Sequence, residues 1–159
     1  MRVLTCILVL ITLLVGAFFG YCYYGAHMEI EGVSASIVPA TDALGTYNEI
    51  KNQTAAGSFL GTVYREADFL MPESYSFLTL TVRMKNRGLL PQDWICIEVN
   101  PDNADIAMLY NDRTPTLSGS SRADFSATLL TREGASTSRT IAVTYYVLGV
   151  PFSTIYQMP

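Results

Sequence analysis

The sequence predicts a mainly β protein: a single antiparallel β-sandwich of about eight strands and one short helix, preceded by one N-terminal transmembrane helix. Three observations predict it. An uncharged apolar run fills most of the first 26 residues. Beyond it, short β-prone runs alternate with turn residues, as in sandwiches. The length of 159 residues suits one domain plus a membrane segment. We therefore divide the chain into an anchor, residues 1–27, and a domain, residues 28–159.

The predicted transmembrane helix covers about residues 3–26, which contain no charged side chain. A helix of that length is roughly 36 Å long, enough to cross a hydrocarbon core of about 30 Å with some tilt. Tyr21, Tyr23 and Tyr24 at its end resemble an interfacial aromatic belt. The alternative is a signal peptide cleaved after Ala17, because residues 15–17 are Val-Gly-Ala, and the domain would then be secreted.

The charges beside the helix predict its orientation. Arg2 precedes the apolar run, whereas Glu29 and Glu31 follow it and the next basic residue is Lys51. Because positive charge stays on the cytoplasmic side, we expect a cytoplasmic N-terminus and an extracytoplasmic domain.

The domain begins with a predicted strand and then a helix. Residues 30–37 alternate imperfectly, with a bulge expected near Gly32, and Pro39 ends this first strand. Asp42 is placed to cap a short helix that Gly57 would terminate. The apolar side of this helix consists of Leu44, Tyr47 and Ile50.

The next three strands are read from their patterns. Residues 59–64 form the second strand. The third, residues 78–85, has the clearest alternation, with Leu78, Leu80, Val82 and Met84 on one face and Thr79, Thr81, Arg83 and Lys85 on the other. The fourth begins at Asp93, after Pro91, and carries apolar side chains on both faces, which predicts a central position in its sheet.

Four more strands complete the prediction. They cover residues 106–110, 123–129, 141–147 and 152–156, and a polar loop fills residues 111–121. Short connections imply antiparallel pairing, since parallel neighbours need crossovers of about a dozen residues or more. Only residues 39–57 are long enough for a crossover.

Residues 79–88, Thr-Leu-Thr-Val-Arg-Met-Lys-Asn-Arg-Gly, form a strand that ends in an asparagine turn. Together with the N-terminal membrane helix and the first strand, this segment resembles the water-stress class of late embryogenesis abundant proteins and related membrane-anchored bacterial sandwich domains. The resemblance implies an immunoglobulin-like sandwich with a binding or protective role rather than catalysis.

The charge distribution argues against a nucleic-acid partner. All 14 acidic residues, and all but one of the ten basic residues, lie beyond the anchor, so the domain is acidic. Nucleic acids are bound by clustered Lys and Arg. The nearest approach to such a cluster, Arg83, Lys85 and Arg87, is interpreted as a solvated face.

No catalytic constellation is evident, and we predict neither an enzyme nor a cofactor. The single histidine, His27, lies at the predicted membrane interface, where it more often ends an anchor than serves a site. Cys96 is the only cysteine of the domain, and its place within a predicted strand suggests burial rather than a reactive thiol.

Two groups of residues are candidates for binding. Asp102, Asp105 and Asp112 lie in two loops whose oxygens could converge on Ca²⁺, although aspartates in turns usually bond the local backbone. Trp94, Tyr145 and Tyr146 could form a recognition surface for a sugar or a partner, although aromatic residues in strands are more often core. Trp94 is the best single candidate for an exposed residue.

These observations favour a non-enzymatic, membrane-anchored β-sandwich outside the cytoplasm, acting as a protein-interaction or accessory module of the cell envelope. Its expected partners are membrane lipid, through the helix, and an unidentified envelope protein. The alternative is a ligand-binding module for Ca²⁺ or carbohydrate on the same scaffold.

Overall fold

The structure, a computed structural model, describes residues 2–66, 69, 71–109 and 115–158, without the side chains of Arg2 and Cys22. Two α-helices and eight strands lie within these ranges. The helices are α1 (Arg2–Gly25) and α2 (Leu44–Ala55). The strands are β1 (Met28–Pro39), β2 (Gly61–Val63), β3 (Tyr75–Asn86), β4 (Asp93–Val99), β5 (Asp105–Leu109), β6 (Arg122–Arg132), β7 (Thr140–Val147) and β8 (Val150–Gln157).

The strands form two antiparallel sheets. The larger sheet has the order β1-β3-β6-β5-β2 and the smaller one the order β4-β7-β8. The predicted mainly β architecture, a sandwich of eight strands preceded by one apolar helix, is therefore confirmed. Residues 39–57, predicted as the one possible crossover, contain α2 and carry the chain between β1 and β2, the two edges of the larger sheet.

Strand β3 shows why the sequence forms a sandwich. Leu78, Leu80, Val82 and Met84 are completely buried between the sheets, as the alternation predicted. The neighbouring strand β1 contains the predicted bulge, since its register against β3 shifts between Ile30 and Gly32. The extra residue restores the phase of the alternation along β1.

Two hydrophobic clusters stabilise the domain. The main cluster lies between the sheets, where Leu129, Ile141 and Val143 are completely buried beside the β3 residues. The second lies on the other face of the larger sheet, where Tyr47 and Ile50 of α2 pack with residues such as Phe77 and Leu130. Helix α2 thus covers part of a sheet face that would otherwise be exposed.

Helix α2 differs from the prediction at its beginning. Its N-cap is Ala43, with no side-chain cap, so Asp42 is not the capping residue. Two backbone turns, Asp42 N–H to Pro39 O and Ala43 N–H to Ala40 O, carry the chain one residue further before the helix starts. Leu44 is exposed, whereas Tyr47 and Ile50 are buried as expected.

The end of α2 follows the prediction. Gly57 has a φ of +65°, in the left-handed region that glycine adopts most readily. The Ser58 N–H donates to Gln53 O at 2.8 Å and the Gly57 N–H to Thr54 O at 3.1 Å. These two bonds are those of a Schellman motif, which satisfies the last carbonyls of the helix.

Helix α1 joins the sandwich without a linker. Its segment Val3–Gly25 is long and apolar enough to span a membrane. The next residue, Ala26, is already buried in the main cluster, and its carbonyl accepts a hydrogen bond from Gln92 Nε2 at 3.1 Å. The Met28 N–H donates to the Tyr145 hydroxyl at 3.0 Å. The end of the helix is therefore fixed to one end of the domain.

The predicted central position of β4 is wrong, because β4 is an edge strand of the smaller sheet. The prediction relied on apolar side chains on both faces of the strand. Ile95 and Val99 do face the core, but Trp94 and Cys96 are exposed on the opposite face. The apolar residues on both faces of β4 therefore do not indicate a buried central strand. They belong to an edge strand with an unusually apolar outer face.

Candidate functional site

A cleft of about 390 Å³ lies beside β4. One wall consists of β4 from Trp94 to Glu98, together with Tyr146 of β7. The opposite wall belongs to the larger sheet, through Met108 of β5 and Phe125 of β6. The cleft therefore follows the edge of the sandwich, from the gap between the two sheets round to the outer face of β4, and its lining is mainly apolar.

The open edge of β4 borders this cleft. On one side β4 pairs with β7, from Cys96 to Val99. On its other side, the start of the strand is covered, because Gln92 bridges Leu117 and the Ile95 N–H donates to Pro115 O at 3.2 Å. From Cys96 onwards no other strand within the described ranges pairs with that side. On that side the Val99 carbonyl accepts a hydrogen bond from the Tyr64 hydroxyl at 3.3 Å. Among the described residues, the backbone around Ile97 is thus left as an open edge next to an apolar cleft.

Trp94 lies at the entrance of the cleft in an unusual backbone conformation. Its φ is +55°, and the register of β4 against β7 shifts between Asp93 and Cys96, which marks a bulge. Bulges turn side chains in new directions, and a bulky residue rarely adopts positive φ. Here the side chain is left 67% exposed.

The structure brings Trp94 together with Tyr146 but separates both from Tyr145. The rings of Trp94 and Tyr146 meet edge to face, with centroids 6.1 Å apart. Tyr145 points to the opposite side of β7, is only 2% exposed, and stacks on Phe152. Neighbouring residues of a strand face opposite ways, so Tyr145 and Tyr146 cannot share a surface. Tyr145 is a core residue, and its assignment to the recognition surface is corrected.

Cys96 is exposed in the wall of the cleft, so the predicted burial of this residue is wrong. Partial desolvation by the apolar wall, and to a lesser degree the charge of Glu98, raise the pKa of the Cys96 thiol. The side chain is therefore a protonated, weakly polar part of the cleft at neutral pH.

Two of the three aspartates predicted as cation ligands, Asp102 and Asp105, already contact a cationic side chain. The Asp105 carboxylate is completely buried and accepts two hydrogen bonds from Arg139, at 2.8 and 2.9 Å. Asp102 Oδ2 lies 3.8 Å from Arg139 Nη1, and the Asp102 N–H donates to Asp105 Oδ2 at 2.7 Å. Asp112 lies outside the described residues. In the part of the chain that is described, no group of three or more His, Cys, Asp or Glu side chains is placed to hold a metal ion.

The basic residues that could suggest a polyanion site are paired with acids on the outer face of the larger sheet. Arg83 donates to both oxygens of Asp124 and Arg87 to both oxygens of Glu29, at distances of 2.6 to 3.1 Å. Lys85 lies 3.9 Å from Glu31. These contacts support the interpretation of a solvated face. His27, between α1 and β1, is exposed.

Sequence reasoning missed two residues that organise the ends of the domain. Arg139 belongs to a Ser/Thr-rich stretch that carries no strand pattern, so nothing local indicates its buried position. In the sequence Asn86 is recognisable only as part of a turn, yet its buried Nδ2 donates to the carbonyls of Leu90, Leu117 and Ser118. The asparagine turn was the available signal for Asn86.

No family model matches this chain, and no curated protein matches it. The resemblance of residues 79–88 to the water-stress class of late embryogenesis abundant proteins stays a prediction, as does the immunoglobulin-like type of the sandwich.

Proposed function

We propose that this chain is a membrane-anchored, non-enzymatic β-sandwich outside the cytoplasm that binds another envelope protein in the cleft beside β4. The observation that carries the proposal is the edge of β4 around Ile97, which pairs with no other described strand, next to an apolar cleft with the exposed Trp94 at its entrance. An extended segment of the partner would add to β4 as a strand and insert an apolar side chain between the sheets.

The residues of β4 support binding at this edge. Natural edge strands are usually protected by lysine, proline or a bulge, since an open edge pairs readily with another chain. Residues 96–99 are Cys-Ile-Glu-Val, without lysine or proline, and the bulge between Asp93 and Cys96 protects only the start of the strand. The other edge of the same sheet, β8, contains Pro151.

The location proposed for the domain depends on α1. The segment Val3–Gly25 could cross a bilayer, and the charge asymmetry between Arg2 and the pair Glu29 and Glu31 favours an extracytoplasmic domain. Because α1 is fixed to the sandwich at Ala26, the partner would be met close to the membrane.

The alternative is a carbohydrate-binding module, and the exposure of Trp94 is the observation that favours it. An exposed indole beside Tyr146 offers a flat apolar face of the kind on which a sugar ring stacks. The Ca²⁺ form of the alternative has weaker support, since both oxygens of Asp105 accept bonds from Arg139.

Site-specific cross-linking in native membranes tests the proposal. Cys6 and Cys22 are replaced by serine, and a thiol-reactive photocross-linker is attached to Cys96, which is exposed in the cleft. We expect an adduct with one protein, and we expect Trp94→Ala to remove it. The matched control carries Cys96→Ser and the cross-linker at Ile155→Cys, on the outer face of the same sheet.

Two results would contradict the protein-binding proposal. One is the same set of adducts from positions 96 and 155, which would mean random collision. The other is the absence of any adduct from position 96 in intact membranes. Quenching or enhancement of the emission of Trp94, the single tryptophan, by soluble oligosaccharides would instead favour the sugar-binding alternative.

A further inference from the structure

Three loops lie at the end of the sandwich that is joined to α1. Gly88, just after β3, packs so closely on Gly25 that a Cβ at position 88 would overlap the Gly25 carbonyl oxygen. The loop of residues 118–121 lies beside it, since the Ser120 N–H donates to Gly88 O at 2.9 Å. The third loop is the turn between β7 and β8, at Leu148 and Gly149.

The β7–β8 turn extends past the junction towards the membrane helix. Tyr145 is at the level of Met28, to whose N–H it is bonded, and Leu148 follows three residues later. At roughly 3.3 Å per residue, the turn lies about 10 Å beyond that level. The ring of Tyr23 lies 5.8 Å from that of Phe152, which pairs with Tyr145. The turn therefore reaches the last residues of α1, where interfacial tyrosines lie.

Three segments of these loops are uncharged and expose apolar side chains, although the charged Arg87 and Arg122 lie directly beside two of them. Their sequences are Gly-Leu-Leu-Pro (88–91), Ser-Gly-Ser-Ser (118–121) and Leu-Gly-Val-Pro (148–151). Leu89 is 69% exposed, Leu148 59% and Val150 51%. The loops at the other end, by contrast, contain charged residues such as Asp102 and Glu133. Exposed apolar groups gathered at one end of a domain mark a surface that contacts something other than water.

Leu148 occupies a position that suits leucine poorly. Its φ is +50° and that of Gly149 is +80°. Two positive φ angles in a two-residue hairpin define a type I′ turn, whose first position is normally Asn, Asp or Gly. Because the Leu148 side chain is largely exposed, burial within the domain does not offset the strained backbone. A leucine at this position is explained if its side chain is buried in an apolar environment outside the domain.

We infer that the α1 end of the sandwich seats in the interfacial layer of the lipid bilayer, with Leu89, Leu148 and Val150 in contact with lipid. This inference rests on the proposed function, because it requires α1 to span the membrane. Only two residues separate α1 from β1, and one of them, Ala26, is buried in the core. The three loops consequently stay at the membrane surface whenever α1 is inserted, and apolar side chains at that depth are stabilised by the headgroup and upper acyl region.

Depth-dependent quenching in vesicles tests the inference with the full chain. All three cysteines are replaced by serine, one cysteine is introduced at Leu148 or at Val150, and an environment-sensitive fluorophore is attached. The proteins are reconstituted into phosphatidylcholine vesicles that contain a lipid with a nitroxide near its headgroup. Val150→Cys provides a second probe, because position 150 is in a regular strand and does not require positive φ.

The matched control is Ile155→Cys, which is 72% exposed on the same sheet but further from the turn. We expect the nitroxide lipid to lower the emission of the probes at 148 and 150 by about half or more, and to leave the probe at 155 unchanged. Flotation of the vesicles is measured on the same samples. It reports whether α1 anchors the chain in the membrane, independently of whether the loops contact lipid.

Three results would overturn the inference. Chains that float with the vesicles while probes at 148, 150 and 155 are equally unquenched would refute lipid docking and leave the membrane anchor intact. Chains that do not float would refute the anchor and the docking together. Emission at 148 that changes with the protein-to-lipid ratio but not with the nitroxide would mean that a second copy, and not lipid, covers this end.

Discussion

Arg139 and Asp105 form a buried ion pair that connects the two sheets. Asp105 begins β5 in the larger sheet, and Arg139 immediately precedes β7 in the smaller one. Arg139 Nε donates to Asp105 Oδ2 at 2.9 Å and Nη2 to Oδ1 at 2.8 Å. The remaining guanidinium nitrogen, Nη1, donates to the carbonyls of Ser136 and Ser138 at 2.8 Å. Because these groups are buried and mutually bonded, the pair fixes how the sheets meet at the end away from α1.

Asp105→Asn should destabilise the domain strongly. It would leave the Arg139 charge buried without a counter-ion, and breaking a buried pair from one side typically costs about 3–5 kcal/mol. Urea denaturation followed by circular dichroism measures the loss. The matched control is Asp102→Asn, because Asp102 is half exposed and 3.8 Å from Arg139, and we expect it to cost about 1 kcal/mol or less. Equal losses in both variants would mean that the buried pair has no special role.

Tyr145→Phe should destabilise the domain more than Tyr146→Phe, although the two residues are adjacent. The Tyr145 hydroxyl accepts the bond from the buried Met28 N–H, so its removal leaves that donor unsatisfied at a cost of about 1–3 kcal/mol. Tyr146 is on the outer face beside Trp94, and its hydroxyl should contribute less than about 0.5 kcal/mol. Thermal unfolding of the two variants checks this, and a Tyr146 variant that is the less stable would contradict the assignment of faces.

The same tyrosines show what the sequence could and could not predict. The buried residues of β7 alternate along the strand: Ile141, Val143, Tyr145 and Val147. This alternation predicts that Tyr145 points into the core. Only the grouping of Tyr145 with Tyr146 on one surface was wrong. The clear face of β3 and the bulge at Gly32 were likewise predictable, because they depend on local periodicity.

The candidate cleft was not predictable, because it depends on the order of strands. A run with apolar groups on both faces fits a central strand, and only the pairing of β7 with β8 leaves β4 at the edge. The pairing of Arg139 with Asp105 could not be predicted from the sequence for a similar reason. The two residues are far apart in the sequence, on different sheets, and meet only through sheet packing.

The domain should lose stability in acid partly through two surface ion pairs. The Arg87 guanidinium lowers the pKa of Glu29 below its ordinary value of 4.5, and Arg83 lowers that of Asp124 below 3.8. A carboxylate whose pKa is lowered by folding stabilises the folded state above its unfolded pKa. That stabilisation is lost as the pH falls from the ordinary pKa values of the two carboxyl groups through their lower pKa values in the folded state.

Denaturation midpoints measured from neutral pH down to about 2 test this dependence. Glu29→Gln and Asp124→Asn should each flatten the decline, and about 1 M salt should reduce the difference from the parent, since both pairs are exposed. A decline that is identical in the parent and in both variants would assign the acid sensitivity to other carboxylates.

Leu148→Asn should stabilise the folded domain while weakening its contact with lipid. Asparagine tolerates positive φ at the first position of a type I′ turn far better than leucine, so we expect a gain of about 0.5–1 kcal/mol in detergent solution. Ile155→Asn is the control, because Ile155 is also largely exposed, at 72% against 59% for Leu148, but lies in a regular strand, where asparagine is disfavoured and no gain is expected. A gain in detergent together with reduced quenching of a fluorophore at Val150→Cys by headgroup nitroxide would indicate that leucine is kept at this turn for the membrane and not for the fold. Loss of stability in Leu148→Asn would mean instead that the leucine side chain stabilises the turn itself, and the strain argument for lipid contact would then be wrong.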